Sequence, residues 1–185
     1  MTVVIGIGNP DRGDDGVGRV LARRLRALAA PGFEVRECNG EATGLMAAWE
    51  GAKEVVLVDA CRGAGPPGSI HELDVTKIGG SGARPLRHGS THSFGVATAI
   101  GLARALVCLP PRLVLYAIEG RRFGEGAGLS PEAERAVDEV TTLLIRRFPG
   151  AEQRPQGGRS RSAIARSSHL RGRPRRRRRP RPVRA

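Results

Sequence analysis

The sequence predicts an α/β fold: a mostly parallel sheet with helices on both faces, carrying a basic C-terminal tail. Three observations point there. Along residues 1–150, short β-branched runs alternate with apolar residues at helical spacing. The clearest run, Val55-Val56-Leu57-Val58-Asp59, is apolar up to its last residue, as a strand covered on both faces would be. After Pro149-Gly150 the pattern gives way to Arg, Ser, Gly and Pro, a composition with too little apolar surface to offset the entropy of ordering. Two regions are therefore expected, a folded domain over 1–150 and a disordered tail over 151–185.

Val3–Ile7 reads as the first buried strand, ending at Gly8. Past the turn-rich NPDRGDDG, Val17, Val20, Leu21, Leu25 and Leu28 recur at helical spacing until Pro31-Gly32 stops them. Phe33–Cys38 suits a second strand and Thr43–Trp49 a short helix closed by Gly51. Val55–Asp59 is the third strand. Ser69–Asp74 alternates apolar and polar residues, which suits a half-exposed strand at a sheet edge. Residues 76–91 are glycine-rich and irregular, in keeping with an active-site loop. Ser93–Val107 reads as a helix rich in small residues, and Leu113–Ile118 as a buried strand. Ser130 supplies an N-cap, Pro131 the first helical position, and Ala133, Ala136, Val137, Val140, Leu143 and Leu144 an apolar stripe.

The net charge of +13 over 185 residues belongs almost wholly to the tail. Residues 151–185 hold 13 arginines and one acidic residue, Glu152, leaving the folded part at +1. A basic nucleic-acid footprint therefore cannot be assigned to the domain, although the tail could bind phosphate without sequence specificity. It lacks aromatic side chains for base stacking. Cys38, Cys61 and Cys108 are far apart and odd in number, which speaks against a disulfide framework or a cysteine zinc site; each is expected to be a buried, reduced thiol. No signal peptide and no apolar run of membrane-spanning length is present, so a cytoplasmic protein is expected.

In open α/β sheets, ligands gather at the carboxyl ends of the strands. Asp14 and Asp15 follow the first strand, Asp59 ends the third, and His92 closes the glycine-rich loop before a helix. Carboxylates and an imidazole drawn from separate loops suit a divalent ion of the nickel or zinc type. The plainer alternatives are a helix-dipole role for Asp14 or Asp15, a turn cap for Asp59, and a structural histidine. No G-x-S-x-G elbow occurs, and Ser90 and Ser93 beside His92 do not make a triad.

GIGNPDRGDDGVG at the start, GEATGL at 40–45, VVLVDACRGAGPPGSIHELD at 55–74, STHSFG at 90–95 and YAIEG at 116–120 occur in an order that resembles the hydrogenase maturation proteases, over about residues 1–148. The resemblance implies a twisted sheet of five or so strands between helices. It also implies an endopeptidase that removes the C-terminal extension of a nickel–iron hydrogenase large-subunit precursor after nickel insertion. Matched motif by motif, Asp15, Asp59 and His92 are then the residues that hold nickel and carry catalysis. The nickel would be the substrate's own, with zinc or cadmium able to substitute. His88 is the competing imidazole, and His92 is preferred because it lies within the matched S-x-H-x-x-G segment. Three features depart from the family pattern: the shorter Asp15 where relatives often carry Glu, Cys38-Asn39 where an acidic residue is expected, and the arginine tail.

The rival reading from the residues is a nucleotide-binding domain, since Gly6-x-Gly8 opens like a dinucleotide fingerprint and Glu37 lies near the end of the second strand. Asp11 stands at its third glycine, however, and Asp14 and Asp15 would repel a pyrophosphate at the helix N-terminus.

Overall fold

The structure is a computed structural model that describes residues 1–78 and 91–149, with residues 91–94 described by their backbone alone. The glycine-rich loop with His88 and Ser90, and the tail from 150, lie outside the described residues.

Among the described residues ten elements follow one another: β1 (Thr2–Ile7), a 3-10 turn (Gly13–Gly16), α1 (Val17–Ala27), β2 (Glu34–Cys38), α2 (Ala42–Trp49), β3 (Glu54–Cys61), β4 (Ile70–Asp74), α3 (Thr91–Ala105), β5 (Arg112–Glu119) and α4 (Pro131–Arg147). They build one five-stranded sheet in the order β2-β1-β3-β5-β4. Every pairing is parallel except that of the edge strand β4 with β5. The alternating SIHELD segment is thus the antiparallel edge its pattern suggested, with Glu72 exposed and its neighbours half-buried.

Strand alternation divides the interior in two. Val3, Ile5, Ile7, Val55, Leu57, Leu113 and Leu115 face α2 and α3, where Leu45, Trp49, Val96, Ala99 and Ala103 meet them. Val4, Val56, Val58, Val114, Tyr116 and Ile118 face α1 and α4, against Leu21, Leu25, Val137, Val140 and Leu144. Ser130 caps α4 as expected, its hydroxyl accepting from the Ala133 amide at 3.3 Å, with Pro131 next.

Several details differ from the sequence reading. The third strand runs two residues past Asp59, to Cys61, because Ala60 and Cys61 continue the pairing with Ile118 and Glu119. Leu28 and Leu143 are exposed. Leu28 falls just beyond the end of α1, and Leu143 lies off the face that Val137, Val140 and Leu144 present to the sheet. Cys38 is half-buried and Cys108 exposed, so only Cys61 is the buried thiol expected of all three. Cys108 follows Val107, an exposed residue with φ of 55° in the turn after α3, where no core reaches it. Among the described residues no helix is long and apolar enough to cross a membrane.

Candidate active site

The carboxyl ends of β1, β3 and β5 lie side by side, and the turn Gly13–Gly16 packs against β3. Gly8 lets that turn fold back over its own strand. Its φ is 122°, and a Cβ there would stand 1.8 Å from the Asp15 carbonyl oxygen. Asp15 is buried as a result, and its carboxylate accepts the Asn9 amide at 3.2 Å.

Its neighbour Asp14 has a different fate. Both of its oxygens are taken, by the amides of Arg121 at 2.7 Å, Arg122 at 2.8 Å and Ser130 at 2.6 Å and by the Ser130 hydroxyl at 2.9 Å. Burial pushes its pKa up, but the Ser130, Arg122 and Arg121 amides and the Ser130 hydroxyl outweigh that and hold it below the ordinary value. Asp14 is therefore a strut between the first loop and the β5–α4 connection. All four donors commit it to that role.

Asp59 ends the apolar part of β3 on the face shared with Leu57 and is buried, with its Oδ1 accepting the Ala60 amide at 2.9 Å. It lines a cavity of about 510 Å³ together with Cys61, His71, Leu73, Val96 and Ala117. His92 is the second residue of α3 and its side chain is outside the description. The backbone still locates its turn. A Cβ on Gly95 would lie 1.9 Å from the carbonyl oxygen of Gly40, so the start of α3 rests directly on the segment that leaves β2. All three predicted residues thus belong to elements at the carboxyl edge of the sheet. Asp15 and Asp59 are buried there, and His92 is placed by its helix.

Sequence reasoning missed a group beside them. Cys61, His71 and Glu119 bring one ligand atom each within 4.8 Å of one another. Glu119 ends β5 as Asp59 ends the apolar run of β3, a carboxylate after VLYAI; that signal was readable at both strands. His71 gave none, because an imidazole in an alternating edge strand looks like any half-exposed residue. Its Nε2 is buried and makes no hydrogen bond among the described residues. Glu37, the acidic residue of the dinucleotide reading, is engaged by Arg19, Arg23 and Arg26 instead.

With this geometry in place, comparison with known proteins decides the family. A sequence profile described as HycI, hydrogenase maturation protease, matches residues 33–147. The chain belongs to the hydrogenase maturation protease family. As a member it is a peptidase of the hydrogenase maturation endopeptidase kind. The fold agrees. HybD, the [NiFe] hydrogenase maturation protease from Thermococcus kodakarensis, superposes with a TM-score of 0.65 at 20% identity, over 80% of this chain and 98% of that one. HybD from E. coli gives 0.63 at 18% identity, over 79% and 90%. The maturation protease HycI from Thermococcus kodakarensis KOD1 gives 0.55 at 25% identity, over 78% and 90%. No curated protein sequence matches the chain. The profile match takes in Asp59 and His92 but begins after the loop that carries Asp15.

Proposed function

We propose that this maturation protease cuts the C-terminal extension from a nickel–iron hydrogenase large-subunit precursor once nickel is in place, and that Asp15, Asp59 and His92 are the residues that address the nickel. The observation that carries the reading is Asp59: a buried carboxylate on the wall of a cavity, near the end of a central strand against which the Asp15 turn and α3 both pack. Two carboxylates and an imidazole form a donor set fit for nickel, and for zinc or cadmium in its place. The nickel belongs to the substrate, and when bound it supplies a Lewis acid for the scissile carbonyl. What the chain supplies is position. Asp59 is fixed by β3 and Asp15 by the Gly8 turn, so both carboxylates meet the precursor already oriented.

Water is the nucleophile on this reading. Cys61, the buried thiol nearest the cavity, donates to Glu119 at 3.2 Å. Burial, the Glu119 hydrogen bond and charge, and the Asp59 charge all push its pKa far above the usual thiol range, which suppresses the thiolate a cysteine nucleophile needs. The cleavage then belongs with aspartic-type and not cysteine-type hydrolysis.

Precursor processing by three proteins tests the assignment: the full chain, the chain truncated after Gly150, and His92→Ala. The first two should cut a nickel-loaded precursor at similar rates, and the third should not. A truncated protein that is inactive while His92→Ala still cuts would place the function in the wrong part of the chain. The same truncation should remove any salt-sensitive binding to nucleic acid, since 13 of the arginines go with it.

A further inference from the structure

The carboxyl end of the sheet carries more ligating chemistry than the proposed cleavage uses. Cys61 and Glu119 are register partners at the ends of β3 and β5, and His71 pairs with Ala117 on the other side of β5. Three strands therefore deliver a thiol, a carboxylate and an imidazole to one point. Each of these groups sits on strand backbone, the most rigid support the fold has.

We propose that Cys61, His71 and Glu119 form a three-ligand site for a divalent transition ion of the zinc type, separate from Asp15, Asp59 and His92, with its fourth position open to the cavity. The donor types favour such an ion: a soft thiolate and an imidazole select zinc or cobalt over magnesium or calcium. The distances favour it too. The Cys61 sulfur and Glu119 Oε2 are 3.2 Å apart, close to the separation of roughly 3.5 Å between two ligands of one tetrahedral ion. Ligand atoms all within 4.8 Å of one another need only side-chain rotation to close on a common centre.

The surroundings hold the ligands as an outer shell does. The amides of Gly63 and, at 3.0 Å, Ala64 donate to the two oxygens of Glu119 and hold the orientation of its carboxylate. The buried Nε2 of His71 lacks a hydrogen-bond partner among the described residues, and an ion would give that ring a use for its lone pair. Charge also balances: one thiolate and one carboxylate neutralise a dication beside a neutral imidazole. On binding, the thiol proton leaves to solvent and its place against Glu119 is taken by the metal. Cys61 and His71 both line the cavity, so the remaining coordination position faces it. The ion would tie together the ends of β3, β4 and β5 next to Asp59.

Cobalt is the probe, because a thiolate bound to Co²⁺ gives a near-ultraviolet charge-transfer band that oxygen and nitrogen ligands do not. The reduced, chelator-treated full chain should develop that band with a single equivalent of Co²⁺. Cys61→Ser should abolish it, and His71→Gln should weaken Co²⁺ binding about tenfold or more. Replacing Cys38 and Cys108 by alanine should leave the band in place. Asp15→Asn should also leave it, although precursor processing by that variant is expected to fall; the two metal assignments thus succeed or fail separately. Absence of the band, or its survival in Cys61→Ser, would overturn the proposal and leave a hydrogen-bonded thiol–carboxylate pair. Should Cys61→Ser fail to fold, His71→Gln decides alone, and undiminished affinity for Co²⁺ would count against the site.

Discussion

The two faces of this sheet are built by the same strands but are packed differently. The face under α1 and α4 is packed with apolar side chains: Leu21, Leu25, Val137, Val140 and Leu144 fill it, and Arg24 of α1 reaches Glu134 and Asp138 of α4 across its outer edge. The face under α2 and α3 is closed only along part of its length. Toward the carboxyl ends its apolar packing stops, and the residues on the same alternation become Asp59, Cys61 and His71 on the cavity wall, with Glu119 bonded to Cys61 beside them. On the proposed reading this mostly parallel sheet devotes one face to stability and the end of the other to chemistry, and a single strand such as β3 serves both.

The sharpest way to break this comparison is to change one residue on each face and read both activity and stability. Asp59→Asn keeps the shape of the side chain and removes its charge. It should lower precursor processing by about ten- to a hundredfold, with little change in near-ultraviolet circular dichroism. Leu144→Ala on the other face should cost about 2–5 kcal/mol, as large-to-small changes at fully buried leucines do. Its folded fraction should process precursor at the normal rate. A Leu144→Ala protein with undiminished stability, or a fully active Asp59→Asn, would mean that the two faces are not divided in this way.

Asp14 tests the border between them. It lies beside Asp15 in sequence, yet its four donors tie it to Arg121, Arg122 and Ser130. Asp14→Asn should cost about 2–3 kcal/mol, because the amide oxygen cannot accept all four hydrogen bonds and charged acceptors are the stronger ones. The pH dependence follows from its lowered pKa. Its stabilisation is complete above the unfolded carboxylate value of about 3.9 and is lost as pH falls through the lower folded value. Urea melts from pH 6 downward should show a steeper acid loss for the native chain than for Asp14→Asn. Parallel curves would mean that Asp14 is protonated alike in both states.

Why the sequence separated some of these roles and not others comes down to range. Strand positions were legible because β-branched runs carry their own signal, and α4 because Ser130, Pro131 and its stripe are local. Asp14 and Asp15 could not be told apart, since the partners that commit Asp14 lie 107 to 116 residues away. The Cys61, His71 and Glu119 cluster was hidden for the same reason: it exists only once β3, β4 and β5 are in register. Leu28 and Leu143 were assigned to stripes on spacing alone, while burial depends on where the helix ends and which neighbour it meets. Asp59 was singled out because it ends an apolar run, and Glu119 could have been singled out by the same rule.

The smallest effect is expected at the outer edge of the α1–α4 face. Arg24 pairs with both Glu134 and Asp138, yet the Asp138 side chain is 70% exposed and that of Arg24 30%. Water already solvates most of Asp138, so its attraction to Arg24 competes with hydration and with the entropy of holding both chains still. Removing it leaves Glu134, 3.0 Å from the Arg24 guanidinium, to keep the link between α1 and α4. Asp138→Asn should therefore lower stability by less than about 1 kcal/mol, and the difference should shrink further as salt is raised. Chemical denaturation of both proteins at low and high ionic strength measures it. A loss as large as that of Leu144→Ala, persisting in salt, would show that the α1–α4 face is held by its charges as much as by its leucines and valines, and the contrast between a packed face and a polar one would have to be redrawn.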